Sequence, residues 1–244
     1  MREALSFLTP IGGARQPTPA ALEWFPLVGA GIGGAVGAVW WIAEKAWPVA
    51  VAAAIAVVAD LALTGLLHVD GLADSADGLL PHGSRDRRLA VMAEPGVGAY
   101  GAAAVAATLL LRWAALASMR PSVLLLAALW CTARSAMAVE VAVGRYVGGG
   151  LATAFGASSA ELGATRDAFR LALPPACLGA LAALGLATLG RGLGGVVAVV
   201  AAALAAAAVI AFARRRIGGF TGDVLGAAGV VAETVGLVVA AAKW

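Results

Sequence analysis

Long apolar runs, separated by short charged segments, constrain the fold of this chain more than any other feature. Seven runs approach or reach the length of about 20 residues at which an α-helix crosses a hydrocarbon core of about 30 Å. Charged residues make up only 13% of the chain and the mean hydropathy is +0.92, which excludes a soluble domain. None of the runs alternates as the strands of a transmembrane barrel do. The runs are 25–42, 48–67, 98–119, 121–143, 171–189, 193–212 and 224–242.

These runs predict an all-α fold, a polytopic membrane helix bundle with about seven transmembrane helices. A helix satisfies its own backbone hydrogen bonds, which a lipid-exposed segment needs because the hydrocarbon core contains no water. No internal repeat of fixed period is present, and we therefore expect a single membrane domain over residues 1–244. The longer polar connections at 68–97, 144–170 and 213–223 are expected to carry the catalytic residues.

Basic residues are distributed unequally between the two ends of these runs. If the amino terminus is cytoplasmic, eleven arginines collect on that side and four basic residues on the other. This bias predicts a multi-pass protein with a cytoplasmic catalytic face. We expect the protein in a bacterial or archaeal cytoplasmic (inner) membrane. The lipid bilayer is then a partner, and no nucleic-acid partner is expected. The cytoplasmic set is Arg2, Arg15, Arg85, Arg87, Arg88, Arg145, Arg166, Arg170, Arg214, Arg215 and Arg216.

Three aspartates follow the second apolar run in the segment HVDGLADSADGL, residues 68–79. At about 100° per residue on a helix, Asp70, Asp74 and Asp77 fall within an arc of roughly 60°, so their carboxylates share one face. Because like charges repel, this grouping points to a hard divalent cation, Mg²⁺ or alternatively Mn²⁺, which commonly holds a phosphate beside carboxylates. A solvated acidic first turn that needs no ligand is the alternative interpretation.

A second segment, residues 87–101, combines arginines, an acid and glycines ahead of the third run. The backbone amides of Gly98 and Gly101 are candidates for binding a phosphate. The alternatives are a flexible membrane-entry loop, a solvated acid and arginines that bind lipid headgroups. The other candidates in this segment are Arg87 and Arg88 for substrate binding and Glu94 for catalysis.

A third segment, RRRIGGFTGD at 214–223, joins a basic run to a glycine-rich turn and an acid. Arginines offer fork-shaped donors to phosphate oxygens, although a positive-inside anchor followed by a helix cap is the alternative for these three. Asp223 enters the last run and would complete a metal site begun by Asp70 if the helices pack that way. The candidate substrate-binding residues of the turn are Gly218, Gly219, Thr221 and Gly222.

Five ionisable residues lie within the apolar runs, where an unpaired charge costs about 2.5 to 3.5 kcal/mol. They are expected to pair with one another or to face a polar cavity. Arg134 is a candidate for binding an anionic substrate, and a structural pair with Glu140 or Glu233 is the alternative. The five residues are Asp60, Arg112, Arg134, Glu140 and Glu233.

Together the three segments resemble the cobalamin synthase family of adenosylcobinamide-GDP ribazoletransferases. The family block His-Leu-Asp-Gly-Leu-Ala-Asp-x-x-Asp-Gly-Leu is matched by HVDGLADSADGL, with Val69 in place of leucine. The family block Gly-Gly-x-Thr-Gly-Asp-x-Leu-Gly-Ala is matched by GGFTGDVLGA. The middle block, MAEPGVGAYG here, departs from the family because Ala93 and Gly96 stand where basic residues are usual, while Glu94 keeps an acid.

The resemblance implies transfer of the adenosylcobinamide-phosphate group from adenosylcobinamide-GDP to α-ribazole or its 5′-phosphate. This phosphotransfer releases GMP and closes the nucleotide loop of cobalamin. The resemblance also implies Mg²⁺ as the cofactor, with Asp70, Asp74 and Asp77 as ligands and Asp223 or Glu94 as a further ligand or the general base.

Two other classes of function are alternatives. One is another Mg²⁺-dependent membrane phosphotransferase of the CDP-alcohol type, although the aspartates here are spaced by four and three residues, which that signature does not have. The other is a transporter, whose acids would cluster near the bilayer midplane rather than at one end of the spans. A homo-oligomer is also compatible with the sequence.

Overall fold

The computed structural model describes residues 1–11, 13, 18–148 and 166–243. This part of the chain contains nine α-helices, a short 3₁₀ helix at Pro19–Trp24 and no strand, which confirms the predicted all-α class. The helices are α1 Arg2–Leu8, α2 Phe25–Ala46, α3 Val49–Thr64, α4 Leu67–Leu79, α5 Arg85–Met92, α6 Ala99–Ala117, α7 Val123–Val143, α8 Arg166–Ile217 and α9 Gly222–Ala240.

Five helical segments of the described chain are long and apolar enough to cross a membrane, and a sixth is added if α3 and α4 form one bent span. The predicted number of seven is therefore not confirmed. One reason is that α3 has only 16 residues before the chain turns. The other is that α8 continues through two predicted runs, with non-helical backbone at Arg191 and Gly192. The five segments are Pro19–Ala46, Ala99–Ala117, Val123–Val143, Ala172–Ile217 and Gly222–Ala240.

A sharp turn separates α3 from α4. Gly65 and Leu66 both adopt left-handed backbone, with φ of 59° and 63°, and the two helices meet at 90°. A left-handed leucine is unusual because its Cβ crowds the backbone. The Leu66 amide donates to the Leu61 carbonyl at 3.0 Å, which closes the turn. The aspartates of α4 therefore follow the span directly, at one end of the bundle.

The centre of the bundle is α7, against which α2, α8 and α9 pack. On α2, Gly29, Gly33 and Gly37 recur at every fourth residue and face the backbone of α7. A Cβ added to Gly29 would lie 2.6 Å from the Trp130 carbonyl oxygen. Small residues at this spacing allow two membrane helices to approach closely, so this glycine stripe brings α2 and α7 together.

A buried ion-pair network links α3, α6, α7 and α9. Arg112 pairs with Asp60 at 2.5 Å and with Glu233 at 2.6 Å. The second oxygen of Glu233 accepts from Arg134 at 2.6 Å, and the second oxygen of Asp60 accepts from the Trp130 indole at 2.9 Å. The prediction that intramembrane charges pair is confirmed for these residues. Arg134 therefore pairs with Glu233, which was the structural alternative to its binding an anionic substrate.

The polar connections meet at one end of the bundle. The Arg85 Nε donates to the Ile217 carbonyl at the end of α8 at 2.7 Å. Arg214, also at the end of α8, pairs with Glu140 near the end of α7 at 2.5 Å. The loops after α4, α7 and α8 therefore converge, as the grouping of arginines predicted. Arg15 and residues 149–165, expected at the same end, lie outside the described residues.

Candidate functional site

The acidic face of α4 lies against the start of α9, and the two backbones come very close at Gly71. A Cβ added to Gly71 would lie 2.8 Å from the Asp223 carbonyl oxygen and 2.9 Å from its Cα. Glycine is needed here because any side chain would push the two helices apart. This packing brings Asp223 beside the aspartates of α4, the helix arrangement under which Asp223 was predicted to join a site begun by Asp70.

Asp70, Asp74, Asp77 and Asp223 form what we call the acidic cluster. The negative charges of Asp70, Asp223 and Asp77 all act on Asp74. Asp70 is exposed, Asp74 and Asp223 are half-buried, and Asp77 is buried. Within the described ranges, no basic side chain forms an ion pair with any of the four. Carboxylates gathered without a counter-charge favour a bound cation.

The donor set of the acidic cluster suits a hard cation. In the described part of the chain, no three His, Cys, Asp or Glu side chains are placed as a ready metal-binding group. Mg²⁺ does not need such a group, since it keeps several waters and is usually bound by one or two carboxylates together with substrate phosphates. Carboxylate oxygens suit Mg²⁺ or Mn²⁺ better than softer metals. The residues therefore fit a hard cation that the substrate helps to hold.

Asp77 has a second set of partners that the sequence did not reveal. Its Oδ2 accepts from the Gly98 amide at 2.7 Å and its Oδ1 accepts from the Gly101 amide at 2.9 Å. Asp77 thereby caps the first turn of α6, which has no side-chain cap of its own. The two amides predicted to face a phosphate donate to Asp77 instead, because the acidic face of α4 lies against the start of α6.

The two adjacent arginines of α5 have different environments. Arg88 is buried, and its Nη1 donates to the carbonyls of Gly78 at 3.0 Å and Leu79 at 2.7 Å. Arg88 therefore satisfies backbone groups at the end of α4. Arg87 is exposed, and its Nη1 lies 3.5 Å from the Glu94 Oε1. Of the two predicted substrate-binding arginines, Arg87 is the one whose guanidinium faces solvent.

A polar cavity of about 570 Å³ lies between α4, α5 and the start of α6, and we call it the α5 cavity. Asp77 forms part of its wall, so the cavity adjoins the acidic cluster. Arg87 and Glu94 also line it. Pro81–Gly83, which are not among the predicted site residues, also contribute to the lining. A Pro-His-Gly stretch is typical of a turn, and only the packing of α5 back onto α4 makes it part of a cavity.

The glycine-rich turn after α8 is held by the loop after α7. Gly218 has a φ of 80°, and its amide donates to the Arg214 carbonyl at 3.0 Å, which ends α8. The Phe220 amide donates to the Arg145 carbonyl at 2.9 Å. Gly219 packs so tightly on the Arg145 carbonyl that a Cβ would clash with it. These two predicted substrate-binding glycines therefore have structural reasons for being glycine.

Thr221 connects this turn to the acidic cluster. Its hydroxyl caps α9 by accepting from the Val224 amide at 3.3 Å, and it donates to the Asp223 Oδ2 at 3.3 Å. Thr221 therefore orients the Asp223 carboxylate. Gly222 faces open space, since a Cβ there would meet nothing within 4 Å. Space beside Asp223 is what a ligand at the cluster would need.

The close approach at Gly71 gives a first testable prediction. Gly71→Ala is expected to lower the stability of the protein by about 1 to 3 kcal/mol, because the new methyl group must displace the Asp223 backbone. The measurement is thermal unfolding of the purified protein in detergent. Gly34→Ala on α2 is the matched control, since its Cβ would meet nothing within 4 Å. An unchanged melting temperature for Gly71→Ala would contradict the packing of α4 on α9.

Fold and site define the class of this protein, an all-helical membrane protein with an acidic cluster at one end of its bundle. Within that class, the chain belongs to the cobalamin-5-phosphate synthase family, whose profile matches residues 1–241. The match spans all the described helices, so the family covers the bundle as well as the site.

Curated relatives agree with the family. A protein of Leptothrix cholodnii is 38% identical, with 94% of this chain and 90% of the relative covered. A Roseiflexus protein is 34% identical over 96% of this chain and 86% of its own length. A Halorubrum lacusprofundi protein is 34% identical over 100% of this chain and 97% of its own. All three are named adenosylcobinamide-GDP ribazoletransferase. No solved structure matches this chain.

Membership of the family confirms the resemblance seen in the sequence. It also confirms that the protein is a transferase of cobalamin biosynthesis, acting in assembly of the nucleotide loop. The apolar helices support the predicted membrane protein. The individual roles of the site residues and the identity of the cation stay predictions.

Proposed function

We propose that this protein transfers the adenosylcobinamide-phosphate group of adenosylcobinamide-GDP to α-ribazole or α-ribazole 5′-phosphate and releases GMP. The observation that carries the proposal is the acidic cluster, whose four aspartates have no described cationic partner and adjoin a polar cavity. The names of relatives that are 34% to 38% identical supply the substrate class.

The reaction exchanges one phosphate linkage for another. A ribose hydroxyl oxygen of the acceptor bonds to the phosphorus that carries the corrinoid, and the bond from this phosphorus to the bridging oxygen breaks. GMP leaves with the bridging oxygen, and the hydroxyl proton passes to a base. Transfer of this kind depends on positioning and on charge stabilisation more than on covalent chemistry by the protein.

The acidic cluster is suited to two of these tasks. Asp70, Asp74 and Asp223 would hold Mg²⁺, with Asp77 as the fourth predicted ligand. When bound, Mg²⁺ supplies positive charge that offsets the diphosphate and the leaving GMP. Because the four carboxylates repel one another, a proton taken up by one of them relieves the others, and the cluster as a unit is suited to accept the hydroxyl proton.

Neighbouring residues position the cluster. Thr221 donates to Asp223 and holds its carboxylate toward the start of α9. The amides of Gly98 and Gly101 fix Asp77, which joins the cluster to the α5 cavity. We place this end of the bundle on the cytoplasmic side of the membrane, where the water-soluble parts of both substrates are accessible, because the arginines collect there.

The test of the proposal is GMP release by the purified protein in nanodiscs, supplied with adenosylcobinamide-GDP and α-ribazole 5′-phosphate. We expect release that depends on both substrates, is lost after chelation of divalent cations and returns when Mg²⁺ or Mn²⁺ is added. GDP in place of adenosylcobinamide-GDP controls for contaminating nucleotidases and is expected to yield no GMP. Absence of GMP with both substrates and Mg²⁺ would overturn the function, and release unaffected by chelation would overturn the metal.

A further inference from the structure

The α5 cavity is placed where part of the proposed substrate must lie. Asp77 belongs to the acidic cluster and also forms the wall of the cavity, so a diphosphate at the cluster has the cavity as its immediate neighbour. Two groups are attached to that diphosphate, the corrinoid and the guanosine. A cavity of about 570 Å³ is of the size that holds a drug-sized ligand. A nucleoside fits this size, whereas a corrin ring with its amide arms is far too large.

A second described cavity, of about 420 Å³, does not compete for this role. It lies between α7 and α8 within the spans and is lined mainly by apolar side chains, with Thr132 and Ser135 as its polar members. The hydroxyls of both residues donate to carbonyls of their own helix, at 2.8 Å each. A purine nucleotide would find no charged partner there.

Arg87 and Glu94 form a weak pair at the mouth of the α5 cavity. Their side chains are 67% and 57% exposed, and the closest charged atoms are 3.5 Å apart. Exposed ion pairs at such a distance contribute little to stability. Arg87 and Glu94 can therefore give up their contact with each other and bind a ligand at little cost in free energy. Arg88 also lines the cavity, but it is buried and its Nη1 donates to two carbonyls at the end of α4.

The positive charge of Arg87 beside the negative charge of Glu94 matches the hydrogen-bonding groups along one edge of guanine. That edge presents the acceptor O6 beside two donors, N1–H and the 2-amino group. A guanidinium donates to O6, and a neighbouring carboxylate accepts from N1–H and the 2-amino group together. Adenine presents a donor where guanine has O6 and lacks the N1 proton, so the same pair of side chains would be mismatched to it.

We propose that Glu94 and Arg87 recognise the guanine base of the GDP-linked substrate in the α5 cavity. Glu94 then determines base specificity rather than taking part in the acidic cluster. None of the charges that act on Asp74 comes from Glu94, which agrees with this separation. The inference rests on the proposed function for the position of the diphosphate, but the binding of the base can be measured without turnover.

The test compares GDP with IDP, which differs from it only by the absence of the 2-amino group. Binding to the full-length protein in detergent with Mg²⁺ is measured by isothermal titration calorimetry. A charged hydrogen bond of this kind corresponds to a preference for GDP over IDP of about tenfold or more. We expect Glu94→Gln to remove this preference. The glutamine side chain has an amide N–H donor in place of one carboxylate oxygen, and this donor would face a donor of the guanine, N1–H or the 2-amino group.

Two further variants separate the roles of the pair. Arg87→Gln is expected to weaken GDP and IDP by the same factor, since both bases carry O6, and to leave the preference unchanged. Asp86→Asn is the matched control for loss of a negative charge, because Asp86 is 94% exposed and does not line the cavity. It is expected to bind both nucleotides as the wild type does.

Each alternative result has a defined meaning. Equal binding of GDP and IDP by the wild type, or a preference that survives Glu94→Gln, would overturn the inference. Displacement of GDP by α-ribazole, which has no phosphate to compete at the acidic cluster, would also overturn it by assigning the cavity to the acceptor. If the preference depends on Glu94 but adenosylcobinamide-GDP yields no GMP, the guanine site stands and the proposed reaction fails. If GMP forms without any preference for guanine, the reaction stands and the inference fails.

Discussion

Replacing Asp74 by asparagine is expected to reduce GMP release by about 10²- to 10³-fold, an effect of the size found when one electrostatic contact to a transition state is removed. Asp74 is half-buried, and the charges of Asp70, Asp77 and Asp223 act on it. Asparagine has the same shape but no charge, so the cluster loses a cation ligand. Initial rates with both substrates and saturating Mg²⁺ provide the measurement.

Stability gives a second readout for Asp74→Asn that does not depend on turnover. The variant is expected to unfold at or above the temperature of the wild type without Mg²⁺, since one of four repelling charges is gone. Mg²⁺ stabilises a protein that binds it only in the folded state, so it should raise the melting temperature of the wild type more than that of the variant. Asp86→Asn serves as the control. Full activity, or an equal Mg²⁺ effect on both proteins, would contradict the role given to Asp74.

Glu233→Gln is expected to produce the largest loss of stability, about 3 to 5 kcal/mol, because it removes the shared anion of two buried arginines. Glu233 accepts from Arg112 at 2.6 Å and from Arg134 at 2.6 Å. Without it, Asp60 alone faces two guanidinium groups inside the bundle. Denaturation in detergent monitored by helical content provides the measurement, and Glu23→Gln, at an exposed position, is the control with little expected effect.

A double variant tests the reason for this loss. Adding Arg134→Met to Glu233→Gln is expected to recover part of the stability, because the remaining Arg112 and Asp60 form a neutral pair. If the double variant is as unstable as the sum of the two single variants, the loss comes from packing and not from an unpaired charge.

The sequence predicted the acidic face of α4 well because that face depends only on helix geometry. Spacings of four and three residues bring Asp70, Asp74 and Asp77 together wherever the helix lies. The meeting with Asp223 depended on the packing of two distant helices, and only Gly71 marks it in the sequence. Residue types indicated that intramembrane charges pair, but the choice of Glu233 for Arg134 follows from the placement of α7 and α9 around the core.

Adjacent residues of the same type show most clearly what the sequence could not distinguish. Arg87 and Arg88 are neighbours on α5 and both line the α5 cavity, yet Arg87 is exposed to solvent and Arg88 is buried against the end of α4. About 100° of helix rotation separates them, and the direction of α5 relative to α4 decides which one is buried. The predicted number of seven spans is not confirmed for a similar reason. Hydropathy does not reveal the 90° turn after α3 or the continuity of α8.

The ion-pair network also helps to position the two helices that end at the site. On α9, Asp223 lies ten residues from Glu233, and on α6, Gly101 lies eleven residues from Arg112, distances of about 15 and 16.5 Å along each helix. The two helices are thus joined at two levels, by Arg112 and Glu233 within the bundle and, through α4, by Asp77 and Asp223 at its end. Sliding of one helix past the other by a single turn, about 5.4 Å, would break the contacts at both levels. The buried charges therefore fix the positions of α6 and α9 relative to each other along the bundle, and with them the position of Asp223 relative to Asp77.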